Sequence, residues 1–153
     1  MSITVTTRSE ITVTQTVSLG PGATDRFTDS GANTTQLKLG ATSTPPVSQK
    51  SHFAQSLSGG AATIDLLALQ DLNATIATTG LRVQAVKVQN PNPDPLLVTP
   101  ASSNGYGLTF TVPPQGEVLI TSANLLPVVG SGAHLLTLAG TGTEASNWMI
   151  ILG

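Results

Sequence analysis

The stretch Leu81-Arg82-Val83-Gln84-Ala85-Val86-Lys87-Val88-Gln89 decides the fold class. Its β-branched residues suit a pleated surface. Counted by twos, Leu81, Val83 and Ala85 fall on one side, and Arg82, Gln84, Val86 and Val88 on the other. Both sides are partly apolar, the pattern of a central strand in a sandwich rather than of a strand with one wet face. Asn90-Pro91-Asn92-Pro93-Asp94-Pro95 follows. Its three alternating prolines cannot donate to a ladder and favour an extended, polyproline-like loop.

Outward from this strand the same signals recur. Downstream, Leu96-Leu97-Val98-Thr99, Leu108-Thr109-Phe110-Thr111-Val112 and Glu117-Val118-Leu119-Ile120 read as strands. Asn104-Gly105 and Pro113-Pro114-Gln115-Gly116 supply the turns between them. His134-Leu135-Leu136-Thr137-Leu138 and Asn147-Trp148-Met149-Ile150-Ile151-Leu152, joined through Gly140-Thr141-Gly142-Thr143, close the fold. Upstream, residues 47–57 read as a strand with His52 and Phe53 on opposite faces. Residues 62–72 combine a strand-like start, Thr63-Ile64-Asp65-Leu66, with the helical spacing of Leu66, Leu69 and Leu72. They predict a strand followed by one short helical turn.

The amino-terminal region is rich in threonine. Ile3-Thr4-Val5-Thr6-Thr7 and then Ile11-Thr12-Val13-Thr14-Gln15-Thr16-Val17-Ser18-Leu19 alternate with period two, and Gly20-Pro21-Gly22 stops them. Asp25-Arg26-Phe27 and Thr35-Gln36-Leu37-Lys38-Leu39 read as short strands around an Asp29-Ser30-Gly31 turn, and residues 42–46 as a loop. Roughly eight to ten short strands with regular turn signals, no βαβ alternation and no fixed-period repeat predict an all-β fold. The expected architecture is an antiparallel β-sandwich of jelly-roll type, with at most one short helical turn. A chain of 153 residues suits one domain, here 1–153. Residues 1–8 form either an arm that adds a strand to a neighbour or an ordinary edge strand.

Composition narrows the function classes. Only 9% of residues are charged, against about 25% in an ordinary domain, and the net charge is -2. The surface must therefore be built from Thr, Ser, Asn, Gln and Gly. Such a surface suits a subunit that packs against copies of itself or a larger assembly, because removing charges from water at an interface is costly. A small neutral monomer is the alternative. Arg8, Arg26, Lys38, Lys50, Arg82 and Lys87 are scattered, and aromatics make up 3%. Neither a basic patch nor a stacking platform for nucleic acid results. No apolar run approaches the ~20 residues that span a bilayer. The start of the chain has neither the basic nor the apolar region of a signal peptide, so the expectation is a cytoplasmically made, soluble protein with no membrane partner. The chain has no cysteine, which removes disulfides and thiolate metal sites.

Residues that carry chemistry are few. His52 and His134 lack the closely spaced partner of a zinc site. Glu10, Asp25, Asp29, Asp65, Asp71, Asp94, Glu117 and Glu144 are scattered, and the aromatics that line sugar-cleaving clefts are scarce. Asn90-x-Asn92-x-Asp94 has the spacing that opens a calcium loop, but Pro95 and Ala101 stand where an EF-hand needs Gly and Glu. Gly130-x-Gly132 and Gly140-x-Gly142 do not continue into phosphate-binding motifs and read as turn glycines. Ser102 and Ser103 lack a nucleophile elbow. The sequons at Asn33 and Asn73 have no bearing without a signal peptide. The sequence assigns no catalytic, cofactor or metal site and predicts a protein that is not an enzyme.

The second half, with residues 80–90, Asn104-Gly105-Tyr106, Pro113-Pro114-Gln115-Gly116-Glu117 and a last strand running to Gly153, resembles small β-sandwich proteins of tailed bacteriophages, including capsid decoration and minor capsid proteins. The resemblance covers residues 60–153 and rests on pattern and spacing. It implies a virion protein, present in many copies on the lattice of a major capsid protein, often as a homo-oligomeric trimer that reinforces the shell. A carbohydrate-binding sandwich, or a tail or fibre receptor-binding component, is the competing expectation. The former would use Tyr106 and Trp148, the only Tyr and Trp, as sugar-stacking rings.

Overall fold

The computed structural model describes the backbone of residues 5–18 and 26–39, and residues 47–71, 74–121 and 126–153 with their side chains. The first two strands are β1 (Val5–Ser18) and β2 (Arg26–Leu39). They are followed by β3 (Gln49–Ser56), β4 (Ala61–Asp65), β5 (Gln70–Asp71) and β6 (Ala74–Thr75). Then come β7 (Val83–Asn90), β8 (Leu96–Pro100), β9 (Phe110–Val112), β10 (Gly116–Thr121), β11 (Leu135–Ala139) and β12 (Ala145–Leu152). No helix occurs among the described residues.

Eight of these strands form two four-stranded antiparallel sheets, ordered β10-β7-β12-β3 and β4-β11-β8-β9. The pairing is nested: β3 with β12, β4 with β11, β7 with β10, and β8 with β9. Two further pairings, β12 with β7 and β11 with β8, knit these couples into the sheets. A chain folded in this order behaves as one long hairpin rolled on itself. The protein is thus an all-β antiparallel sandwich. β5 and β6 make a small separate ribbon.

The two sheets share one apolar core. Val86, Val88, Trp148, Ile150 and Leu152 from the first sheet join Ile64, Leu96, Val98, Val112, Leu136 and Leu138 from the second. Trp148 is 1% exposed and stacks on Phe53, with ring centroids 6.2 Å apart, while Phe110 tilts against it at 6.4 Å. The indole N–H donates to Ser146 Oγ at 2.8 Å. Two residues apart on one strand, the two side chains share a face by period two, so the buried donor finds its acceptor locally. Tyr106 makes a second anchor. Wholly buried, its hydroxyl donates to the Pro127 carbonyl at 2.9 Å and accepts from the Val83 N–H at 3.2 Å. Burial pushes the pKa of that hydroxyl up, against the opposing pull of the Val83 hydrogen bond and the Arg82 charge.

Three expectations need correction. In β7 the partners of Ile151 and Leu152 are Ala85 and Val83, so Gln84 is an extra residue in the ladder. This bulge flips the parity. Val83 joins Val86 and Val88 in the main core, whereas Ala85 packs with Val47 and Ile151 in a small cluster on the other face. A straight count by twos cannot register an inserted residue. After β4, the helical spacing of Leu66 and Leu69 marks a β-turn rather than a helical turn. The Ala68 N–H donates to the Asp65 carbonyl at 3.1 Å, and the Leu67 N–H to Asp65 Oδ1 at 2.8 Å. Both leucines are buried, holding the turn down. Third, Asp29-Ser30-Gly31 is not a turn but the interior of β2, opposite Gln15, Thr14 and Val13. Fourteen consecutive ladder positions override the local turn composition. Arg8-Ser9-Glu10 joins the two threonine-rich segments into one strand, β1.

Residues 5–8 of the expected arm begin β1 and face residues 36–39 of β2. This long ribbon pairs with neither four-stranded sheet. Residues 1–4, the Gly20-Pro21-Gly22 stop, Asp25, the 42–46 loop, and Leu72 with the Asn73 sequon lie outside the described residues.

Replacing Trp148 with Ala removes the ring that touches both sheets. It is expected to lower unfolding free energy by ~3–5 kcal/mol, measured by urea titration with far-ultraviolet circular dichroism. A loss below ~1 kcal/mol would show that the core does not depend on it.

Candidate functional site

Charge is sorted between the two sheets. In the strands β4, β11, β8 and β9 the only charged residue is Asp65, at the end of β4. The outward positions of this sheet form cross-strand rows. Ala61, Ala139, Leu97 and Thr111 make one row; Thr63, Thr137 and Thr99 make the next. Leu97 is 42% exposed, because its neighbours Leu96 and Val98 take the inward positions. Apart from Asp65, which alternation places on this side and whose Oδ1 caps the turn at Leu67, the face is made of methyl and hydroxyl groups. Such groups lose little on leaving water against a complementary uncharged surface.

The outer face of the first sheet is different. Lys87 Nζ lies 2.9 Å from Glu117 Oε2, and Gln89 Nε2 donates to the same oxygen at 3.2 Å. The Lys87 hydrogen bond, followed by that of Gln89, holds the Glu117 carboxyl below the ordinary glutamate range. Lys50 pairs with Asp71 at 2.9 Å. Between these charges Met149 and Leu119 are exposed. A shallow hollow of about 210 Å³ there is lined by His52, Lys87, Gln89, Asn147, Trp148 and Met149. At the open edge of the sandwich, where β3 and β4 face each other, a cleft of about 340 Å³ is lined by Phe53, Gln55, Ile64, Asp65, Leu69 and Gln70 among others. Asp65 is the only titratable group there, and one of its carboxylate oxygens caps the turn at Leu67. A single carboxylate without a facing acid, base or nucleophile does not make a hydrolytic pair.

Among the described residues, those weighed from sequence are not brought together. His52 is exposed on β3, while His134 precedes β11 with Nδ1 3.0 Å from the Gly130 carbonyl. No cluster of His, Asp and Glu able to hold a metal ion occurs among the described residues. The Asn90-x-Asn92-x-Asp94 run is a clamp for its own loop. Asn90 is buried, and its Nδ2 donates to the carbonyls of Asp94 at 2.7 Å and Pro113 at 3.2 Å. Its Oδ1 accepts from Asn92 Nδ2 at 2.9 Å, and that same amide donates to the Ala145 carbonyl at 2.8 Å. The oxygen a cation would need is thereby occupied. Ser102 and Ser103 lie in the turn before Gly105, where a Cβ would collide with the Ala101 carbonyl. Trp148 and Tyr106 are both buried, so neither offers a ring to a sugar.

What the sequence reading missed is the row built on Leu97. Leu96-Leu97-Val98 looks like one buried run. Strict alternation would have placed Leu97 opposite its neighbours, on the outside. No protein-family model matches the chain, and neither curated proteins nor solved structures give a match.

Because the folded Glu117 value lies below the unfolded one, the contribution of this carboxylate is complete above the ordinary range near pH ~4.3 and fades as pH falls through the folded value. An NMR titration should place the Glu117 midpoint below that of a free glutamate, and Lys87→Met should raise it. An unchanged midpoint in Lys87→Met would show that Lys87 is not the cause.

Proposed function

We propose that the chain is a non-enzymatic structural subunit of a virus particle, a capsid decoration or minor capsid protein. It works as a homo-oligomer seated on the lattice of a major capsid protein, and its place is the virion. The observation that carries this reading is the sparsely charged outer face of β4-β11-β8-β9, where Asp65 at the end of β4 is the one charge of the four strands and Leu97 stands open to solvent. A free-standing domain keeps charges on its exposed faces for solubility. A face nearly without them suits a permanent neighbour of matching polarity.

The nested strand order supports the same reading. It is compatible with the winding of a jelly roll, an architecture that recurs in capsid and lectin domains. An architecture hosts many functions, so the weight rests on the face. The lectin alternative lacks its main device, since the Tyr and the Trp are both buried.

Particles banded on a density gradient from a culture that carries this sequence test the proposal directly. Mass spectrometry of the band is expected to find the chain in many copies per particle. Leu97→Glu should lower that copy number while Trp148 emission remains that of the folded chain. Recovery of the chain only outside the particle band would contradict the proposal.

A further inference from the structure

The β1–β2 ribbon pairs fourteen residues on each strand in unbroken antiparallel register and joins neither sheet of the sandwich. A two-stranded ribbon standing alone is marginal in water. The register sorts its residues sharply. Val5, Ile11, Val13 and Val17 occupy positions of one parity in β1, and their face also receives Phe27, Leu37 and Leu39 of β2. Every large apolar residue of the two strands is therefore on one face. The opposite face carries Arg8, Glu10, Arg26 and Lys38 among threonines and serines, with Ala32 as its only apolar residue.

We infer that the apolar face of this ribbon is covered by the same face of a second copy of the chain, the two ribbons packed antiparallel about a two-fold axis. The inference rests on the reading of the chain as a self-assembling structural subunit and names the surface involved. Three features select this occupant. The first is area. Fourteen residues at ~3.4 Å make a ribbon about 48 Å long and about 10 Å wide, so two copies face to face cover about 960 Å² in projection. That is close to, though slightly under, the ~1,000 Å² expected of a specific interface.

The second is charge. Asp29, opposite Gln15 one row in from the Val17–Phe27 end, is the single charged residue on this face. Parallel stacking of two copies, or a three-fold bundle, would bring like carboxylates together away from water, which is costly. Antiparallel stacking keeps the two Asp29 residues apart. The third is pattern. Antiparallel stacking lays the Val17–Phe27 row of one copy over the Val5–Leu39 row of the other and sets the middle row, Ile11–Asn33, on the two-fold axis. Such an interface is self-complementary, as a closed dimer requires.

Light scattering coupled to size exclusion on the full chain, Val13→Glu and Thr14→Glu tests this. Val13 and Thr14 are neighbours on opposite faces. Wild type and Thr14→Glu are expected at twice the 15.6 kDa chain mass, and Val13→Glu at that mass alone. Emission of Trp148, in the sandwich core, should be the same in all three. A wild-type mass of one chain, or of three or more, overturns the inference. So does an equal effect of the two substitutions. A chain that dimerises in this way but fails to band with particles keeps the inference and removes the coat reading.

Discussion

The burial of Trp148 is the constraint on which the sandwich depends. It sits on β12, which bonds to β3 on one side and β7 on the other, and its ring lies between Phe53 of the first sheet and Phe110 of the second. A ring of this size can be buried only if its N–H is satisfied. Ser146 does this, and its hydroxyl in turn donates to the Gln55 carbonyl on β3 at 3.4 Å. The hydrogen-bond chain thus ties the core ring to the neighbouring strand. The nested strand order follows from the same element. With the last strand central in its sheet, earlier strands must pair around it from both ends of the chain.

An interior filled in this way leaves the surface to decide function. With so few charges in the chain, their placement is informative. Outside the ribbon, two ion pairs, Lys87–Glu117 and Lys50–Asp71, involve the outer face of the first sheet. The second sheet turns out rows of alanine, threonine and one exposed leucine. The ribbon repeats the division, with one apolar face and one charged, threonine-rich face. On the proposed reading these two faces, each holding one charge (Asp65 and Asp29), make contacts by shape and desolvation rather than by ion pairing.

Much of this was legible in the sequence. Period-two patterning located the strands at 83–90, 110–112, 116–121 and 145–152, and the Asn104-Gly105 and 113–116 turns fell where composition placed them. The backbone confirms the turn chemistry, with Asn104 and Gln115 at φ values of 54° and 50°. Two of the misses depended on a partner distant in sequence. The bulge at Gln84 exists only relative to β12. The continuity of β2 through Asp29-Ser30-Gly31 exists only relative to β1. The exposure of Leu97 follows from which neighbours face the core, and the loop role of Asn90 and Asn92 from the carbonyls of Pro113 and Ala145.

Sedimentation velocity across a salt range tests most directly the proposal that sparsely charged faces hold copies of this protein together. Between ~0.1 M and ~1 M sodium chloride the screening length falls from ~10 Å to ~3 Å, which dissolves contacts built on charge. Assemblies held by the threonine, alanine and apolar faces should sediment unchanged, or grow, at the higher salt. Their dissociation to single chains at high salt would contradict the account.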